Sequence, residues 1–273
     1  MVKPMRIEET IGCLGGEFHD EAVDKLIDRV RGRLDKALKG IRRPEAAVGV
    51  VKSPLGDLLI ATSVRGVALN HYVRHGDDLA AGIAKLRLAF DPIEDDSSVR
   101  TIGEEICGYL AGNASALRQN VDLTLAVNPF QQNVLRELSA VPRGAVTSYQ
   151  ALGASVGVPK GARAVGNALH NNPVAIYVPC HRVISADGRI GGYAGGASRK
   201  LLLLRSEGFA VDRVSARIPS NVVWGHRRTM IYCRPDCRTT ARVDRTRILF
   251  FADPKEAQRA NMRACKICRP GAD

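Results

Sequence analysis

Apolar positions along the chain follow two periods. Over residues 20–39, Val23, Leu26, Ile27, Val30, Leu34 and Leu38 recur at helical spacing with charges on the opposite face. That pattern predicts an amphipathic helix, closed by Gly40 and Pro44. Over 46–72 short aliphatic runs alternate with Pro and Gly, which predicts three strands joined by turns. Helical patterns return over 77–90 and 99–111.

A second helical block begins at Pro129, a residue suited to the first turn of a helix over 130–140. A helix over 147–157 follows, with Thr147 as its cap. The turn VPKG leads into a third helix over 162–172. Helix, short glycine-bearing turn and helix form the helix-turn-helix pattern. Many helical hairpins share it, and Arg163 at the start of the last helix adds weight to a DNA-binding reading. A glycine-rich stretch, SADGRIGGYAGGASRK, lacks the strand-then-helix setting of a phosphate loop and reads as the wall of a site. The helix ASRKLLLLRSEG closes this block, and residues 211–222 read as a linker. The fold class expected is α/β plus α: an N-terminal helical extension (1–44), an α/β scaffold (45–120), a helical block (121–210) and a small C-terminal domain (223–273).

Charge refines this division. The chain carries net +12, and the excess is uneven. Residues 45–120 hold 7 Lys+Arg against 10 Asp+Glu, residues 121–210 hold 9 against 4, and residues 211–273 hold 14 against 6. A basic second half suits a polyanionic partner, most often nucleic acid, although a solvated basic face would give the same count. The longest aliphatic run is LLLL at 201–204, far too short to span a bilayer, so no membrane partner is expected. The N-terminus MVKPMRIEET lacks an apolar core and cleavage site, and the expectation is a cytoplasmic monomer.

Seven cysteines, an odd number, argue against a disulfide framework. Cys13 and Cys107 read as small buried apolar residues. Cys233, Cys237, Cys265 and Cys268 form C-x3-C and C-x2-C pairs separated by 27 residues, the pattern of a tetrahedral Zn2+ site. A domain of this size with few large apolar side chains needs such a staple to fold. That leaves Cys180, followed directly by His181 in YVPCHRVI. From these two residues alone, three readings stand: a buried structural cysteine, a cysteine hydrolase, or a one-way alkyl acceptor.

The surrounding motifs carry a resemblance. NPFQQNVL, PRGAVTSYQALG, ARAVGNAL, NNPVAIYVPCHRVI and the YAGG loop followed by EGF occur in order over residues 46–209. Together they resemble the O6-alkylguanine-DNA alkyltransferases. The resemblance implies a ribonuclease-H-like scaffold and a winged-helix-like alkyltransferase unit. It implies single-turnover transfer of an alkyl group from guanine O6 in double-stranded DNA to Cys180. His181 would be the base, acting through a water and oriented by Glu207. Asn172 would hold the active-site turn, and Tyr149 would stabilise the departing guanine. Tyr193 would wall the base, and Arg163 would fill the gap left by the flipped nucleotide. Ala194 stands where some relatives have a serine, leaving one contact to the backbone. Residues 221–270 resemble the Ada zinc domain, which implies that Cys233 accepts methyl groups from DNA methylphosphotriesters. Here that domain follows the alkyltransferase unit, an inverted order, and Met230 stands where a glycine is usual. An alkylation-responsive DNA-binding sensor is the alternative function.

Overall fold

The computed structural model describes residues 43–185, 188–209, 211, 222–234, 237, 239 and 248–270. The helix expected over 20–39, Cys13 and most of the 211–222 linker lie outside the described residues.

The three strands expected between 46 and 72 are present as β1 (Glu45–Ser53), β2 (Gly56–Ser63) and β3 (Gly66–Val73), an antiparallel meander. Helix α1 (Gly76–Leu86) ends earlier than its sequence pattern, because the chain turns into β4 (Asp91–Glu94). This strand pairs parallel with β1 and gives the sheet order β3-β2-β1-β4. With Pro92 in four residues it shows no alternation, and it occupies an edge, where a missing N–H is tolerated. Helix α2 (Asp96–Leu110) is capped by Asp95, whose carboxylate accepts from the N–H groups of Ser97 and Ser98. It buries Val99, Ile102, Ile106 and Tyr109 against the sheet and the following helices. Cys107, expected to be buried, is only half-buried on α2.

In the second block, α3 (Pro129–Ser139) starts on its proline, with Asn128 capping the Gln131 N–H. Helices α4 (Tyr149–Ser155) and α5 (Ala162–His170) pack against each other and against α3. The cap of α4 is Ser148, whose Oγ accepts from the Ala151 N–H at 3.1 Å. Thr147, read as that cap, lies instead in strand β5 (Ala145–Ser148), paired with Val183 of β6 (Val183–Ile184). The sheet ladder takes Thr147 before the helix can. A 3-10 turn over Cys180–Arg182 runs directly into β6, and α6 (Ala197–Ser206) closes the block.

The C-terminal segment supplies β7 (Val223–His226), β8 (Ile231–Cys233), β9 (Ile248–Phe251), the short helix α7 (Pro254–Arg259) and β10 (Arg263–Ala264). It does not stand apart from the preceding block. Strand β9 pairs antiparallel with β5, joining Ala145 to Phe251 and Val146 to Phe250. One six-stranded sheet therefore runs β10-β8-β7-β9-β5-β6 across both units. Their apolar cores merge as well, with Val223, Leu249, Phe251 and Met262 in the same cluster as Val134, Leu138 and Ala145.

Candidate active site and metal centre

Cys180 opens the 3-10 turn, and its thiol is buried at 7% exposure. The approach to it is set by Asn172 just after α5. The Asn172 Oδ1 accepts from the Val174 N–H at 3.0 Å, and Nδ2 donates to the Val178 carbonyl at 3.0 Å and to Cys180 Sγ at 3.2 Å. One amide thus fixes the loop and contacts the sulfur. Burial pushes the Cys180 thiol above its ordinary value, opposed by the Asn172 bond, the Lys200 charge and a Tyr193 hydrogen bond. At rest the sulfur is protonated, and it needs a base.

His181 is fully buried beside it in the chain, with Nε2 2.5 Å from Glu207 Oε1. Burial lowers the imidazole's basicity, and the Glu207 charge only partly restores it, so the ring is neutral. The Nδ1 atom has no hydrogen-bond partner among the described residues, which leaves it as the nitrogen able to accept a proton. Burial would push the Glu207 carboxyl up, but the Arg182 charge and the hydrogen bonds from His181 and Arg182 outweigh this and hold it well below the usual carboxylate range. Arg182 Nε donates to both Glu207 oxygens at 3.2 and 3.0 Å, and its Nη2 donates to Tyr109 Oη at 2.9 Å. Tyr109 Oη in turn donates to Glu207 Oε1. A carboxylate with zero exposure is tolerable only with such partners.

Cys180 faces a pocket of about 340 Å³, lined by Tyr149, Gly166, His170, Tyr193 and Ala194. Tyr193 Oη is 2.8 Å from Tyr72 Oη, and Lys200 Nζ donates to the carbonyls of Val183, Ile190 and Gly192. These contacts hold the glycine-rich wall from behind. Burial raises the Tyr149 phenol, which stays a hydrogen-bond donor at neutral pH. The pocket adjoins an open groove of 610 Å³ that shares Tyr149, Gly166 and Gly192 and contains Lys160 and Arg163. Arg163 is exposed on the first turn of α5.

The four C-terminal cysteines come together as well. The sulfurs of Cys233, Cys237, Cys265 and Cys268 lie within 4.8 Å of one another. A tetrahedral Zn2+ with bonds of about 2.3 Å needs sulfur separations of about 3.8 Å, so the donor set and its spacing fit zinc. The Arg234 N–H points at Cys268 Sγ at 3.4 Å, and Thr239 Oγ1 lies 3.0 Å from Cys237 Sγ. Both are contacts that stabilise negative sulfur. Of the four, Cys233 and Cys265 line an apolar cavity of 350 Å³ beside Trp224 and Ile248. Met230, at the end of the turn before β8, has φ +53, the left-handed region that favours glycine.

A family model described as the DNA-binding domain of 6-O-methylguanine DNA methyltransferase matches residues 129–209, and one described as the metal-binding domain of Ada matches residues 210–271. A methylated-DNA–protein-cysteine methyltransferase from Methanosarcina barkeri is 34% identical over 160 residues, covering 58% of this chain and 94% of that protein. The chain belongs to the methylated-DNA–protein-cysteine methyltransferase family. The bifunctional transcriptional activator and DNA repair enzyme Ada of Escherichia coli is 38% identical over 157 residues, 56% of this chain and 43% of that protein. A crystal structure of the Mycobacterium tuberculosis O6-methylguanine methyltransferase is 31% identical and covers 64% of this chain and 96% of that chain, with a TM-score of 0.49.

Within this methyltransferase, the fold brings together Cys180, His181, Glu207 and Asn172, and sets Tyr149, Tyr193 and Arg163 around the approach to the sulfur. Sequence reasoning missed Arg182, Tyr109, Lys200 and Tyr72. Arg182 and Lys200 carried a signal, since each is a charge inside a largely apolar run. Tyr109 and Tyr72 carried none, because they reach the site from the scaffold by tertiary packing alone.

Proposed function

We propose that this protein clears alkyl groups from O6 of guanine in duplex DNA by accepting them irreversibly on Cys180. The observation that carries the reading is a buried thiol facing a base-sized pocket, followed in the chain by a neutral imidazole bonded to a buried carboxylate. His181 Nδ1 takes the thiol proton through a bridging water, and Glu207 stabilises the resulting imidazolium through Nε2. Asn172 and Tyr193 donate to the sulfur as it becomes negative. The sulfur attacks the alkyl carbon, the carbon–O6 bond breaks, and its electron pair stays with guanine. Tyr149 donates to the departing base, which ends with the proton that the thiol gave up. A thioether has no leaving group comparable to a thioester's, so the protein is consumed.

The target lies inside a duplex and must be flipped out, at a cost of a few kcal/mol. In this reading Arg163, exposed in the groove that adjoins the pocket, fills the vacated position, and Lys160 in the same groove attracts the phosphate backbone. In the C-terminal domain the four cysteines hold one Zn2+, which keeps sulfur ionised at neutral pH. The resemblance to the Ada zinc domain makes Cys233 the acceptor for methylphosphotriesters, and the apolar cavity that it lines together with Cys265 suits an uncharged ester. Intact-mass analysis with peptide mapping after incubation with methylated DNA tests both halves. One methyl is expected on Cys180 from O6-methylguanine and one on Cys233 from phosphotriesters. Turnover beyond one equivalent, or methylation elsewhere, would overturn the reading.

A further inference from the structure

The turn between α3 and β5 lies between the two halves of the molecule and touches both. On one side it meets the Glu207 network. The Gly144 N–H points at Glu207 Oε2 at 3.4 Å, Arg182 Nη1 donates to the Val141 carbonyl, and Arg143 donates to the Ser206 carbonyl. On the other side it meets the zinc domain. The Gly144 carbonyl accepts from the Ala252 N–H at 3.3 Å, where β9 runs alongside β5. The buried side chain of Glu256, on α7, covers the Gly144 Cα so closely that an added Cβ would lie 2.5 Å from Oε2 and 2.8 Å from Cγ and Cδ. Gly144 also has φ +74. A rim ion pair between Arg227 and Glu137 completes the seam.

We propose that the zinc domain braces the carboxylate that activates Cys180, with Gly144 and Glu256 as positioning residues for guanine repair. A rigid core transmits displacement to its neighbours, because close-packed groups have nowhere else to go. Movement of β9 or α7 shifts the backbone that supports Glu207 and Arg182, and so shifts the hydrogen bond that orients His181. Repair at guanine therefore depends on a zinc domain whose own chemistry is separate. The inference rests on the alkyltransferase reading of Cys180.

The test uses the full-length, zinc-loaded protein and free O6-benzylguanine, a substrate without DNA, so that DNA contacts of the zinc domain cannot contribute. Gly144→Ala is expected to slow alkylation of Cys180 about tenfold, equivalent to ~1.4 kcal/mol, and to move its rate–pH profile to higher pH. Glu256→Ala in the same chain is expected to restore most of the rate, because it removes the clash. A merely local strain at φ +74 would persist in the double variant, so an unchanged deficit in the Glu256→Ala background overturns the proposal. If Gly144→Ala does not fold, metal removal from the wild-type chain gives the second measurement. A slower Cys180 supports the brace, and an unchanged rate and pH profile overturn it. Failure of the zinc-loaded wild type to react at all would instead count against the alkyltransferase reading.

Discussion

The two cysteine sites solve one problem in opposite ways. In the proposed reading each needs a nucleophilic sulfur at neutral pH. At Cys180 the protein buries the thiol, which raises its pKa, and supplies a base network of a neutral histidine, a carboxylate and an arginine. Around Cys233 no such network lies among the described residues, and in the proposed reading the metal supplies the charge. The Cys180 solution is sensitive to pH and to the placement of several side chains. The Cys233 solution depends on the presence of zinc. What the contrast teaches is where each site is vulnerable.

The largest expected effect separates the sites outright. Cys180→Ala should abolish loss of O6-methylguanine from duplex DNA while leaving Cys233 methylation by phosphotriester DNA intact, as read by peptide mapping. Metal removal should abolish the Cys233 reaction. If Cys180→Ala still clears the guanine lesion at the normal rate, the assignment of the acceptor is wrong.

Next in size is the activating network. His181→Ala and Glu207→Gln should each slow methyl transfer to Cys180 by about 10²-fold, with DNA binding nearly unchanged. The same contrast appears as pH dependence. Since burial raises the Cys180 thiol, its reaction rate should climb as pH rises and the thiolate fraction grows. Protonation of His181 removes the base at low pH, which deepens the fall on that side. The Cys233 rate, with sulfur already ionised by zinc, should stay flat across neutral pH. Parallel profiles for the two cysteines would break the comparison.

A third effect concerns access. Arg163→Ala should impair repair of duplex DNA about tenfold or more, since extrusion of a nucleotide costs a few kcal/mol, and should leave the reaction with free modified base unchanged. Equal losses on the two substrates would remove Arg163 from the flipping step.

Legibility in the sequence followed the same division. Local chemistry was readable: PCHRV marked Cys180 and His181, and cysteine spacing marked the metal cluster. The strands over 46–72 and the helices over 129–206 followed from period and capping residues. Long-range pairing was not readable. Strand β5 is only AVTS, which looked like the start of a helix because Ser and Thr both serve as caps. Its partner β9 lies about a hundred residues away, and nothing in either segment specifies the other. Tyr109 was invisible for a related reason: on α2 it fits an apolar stripe, and only tertiary packing brings its hydroxyl to Glu207 and Arg182.

The smallest expected effect sharpens the comparison from the zinc side. Met230 holds φ +53 in the turn joining β7 to β8, with its N–H donating to the His226 carbonyl and its carbonyl accepting from the Arg263 N–H, both at 2.9 Å. Those two bonds fix the left-handed backbone, which costs a non-glycine residue about 1–2 kcal/mol. The side chain gives little in return, being 38% exposed. Glycine removes the strain and gives back roughly 0.5–1 kcal/mol in unfolded-chain entropy. Met230→Gly should therefore stabilise the zinc-loaded protein by about 0.5–1 kcal/mol, a rise of a few degrees or less in Tm for a unit of this size. Differential scanning calorimetry at saturating zinc checks this, and a lower Tm would show that the methionine side chain contributes packing that its exposure hides. The Cys180 rate should not change, because the substitution keeps both backbone bonds of the turn and so leaves Arg227, which pairs with Glu137 at the rim of the seam, in place.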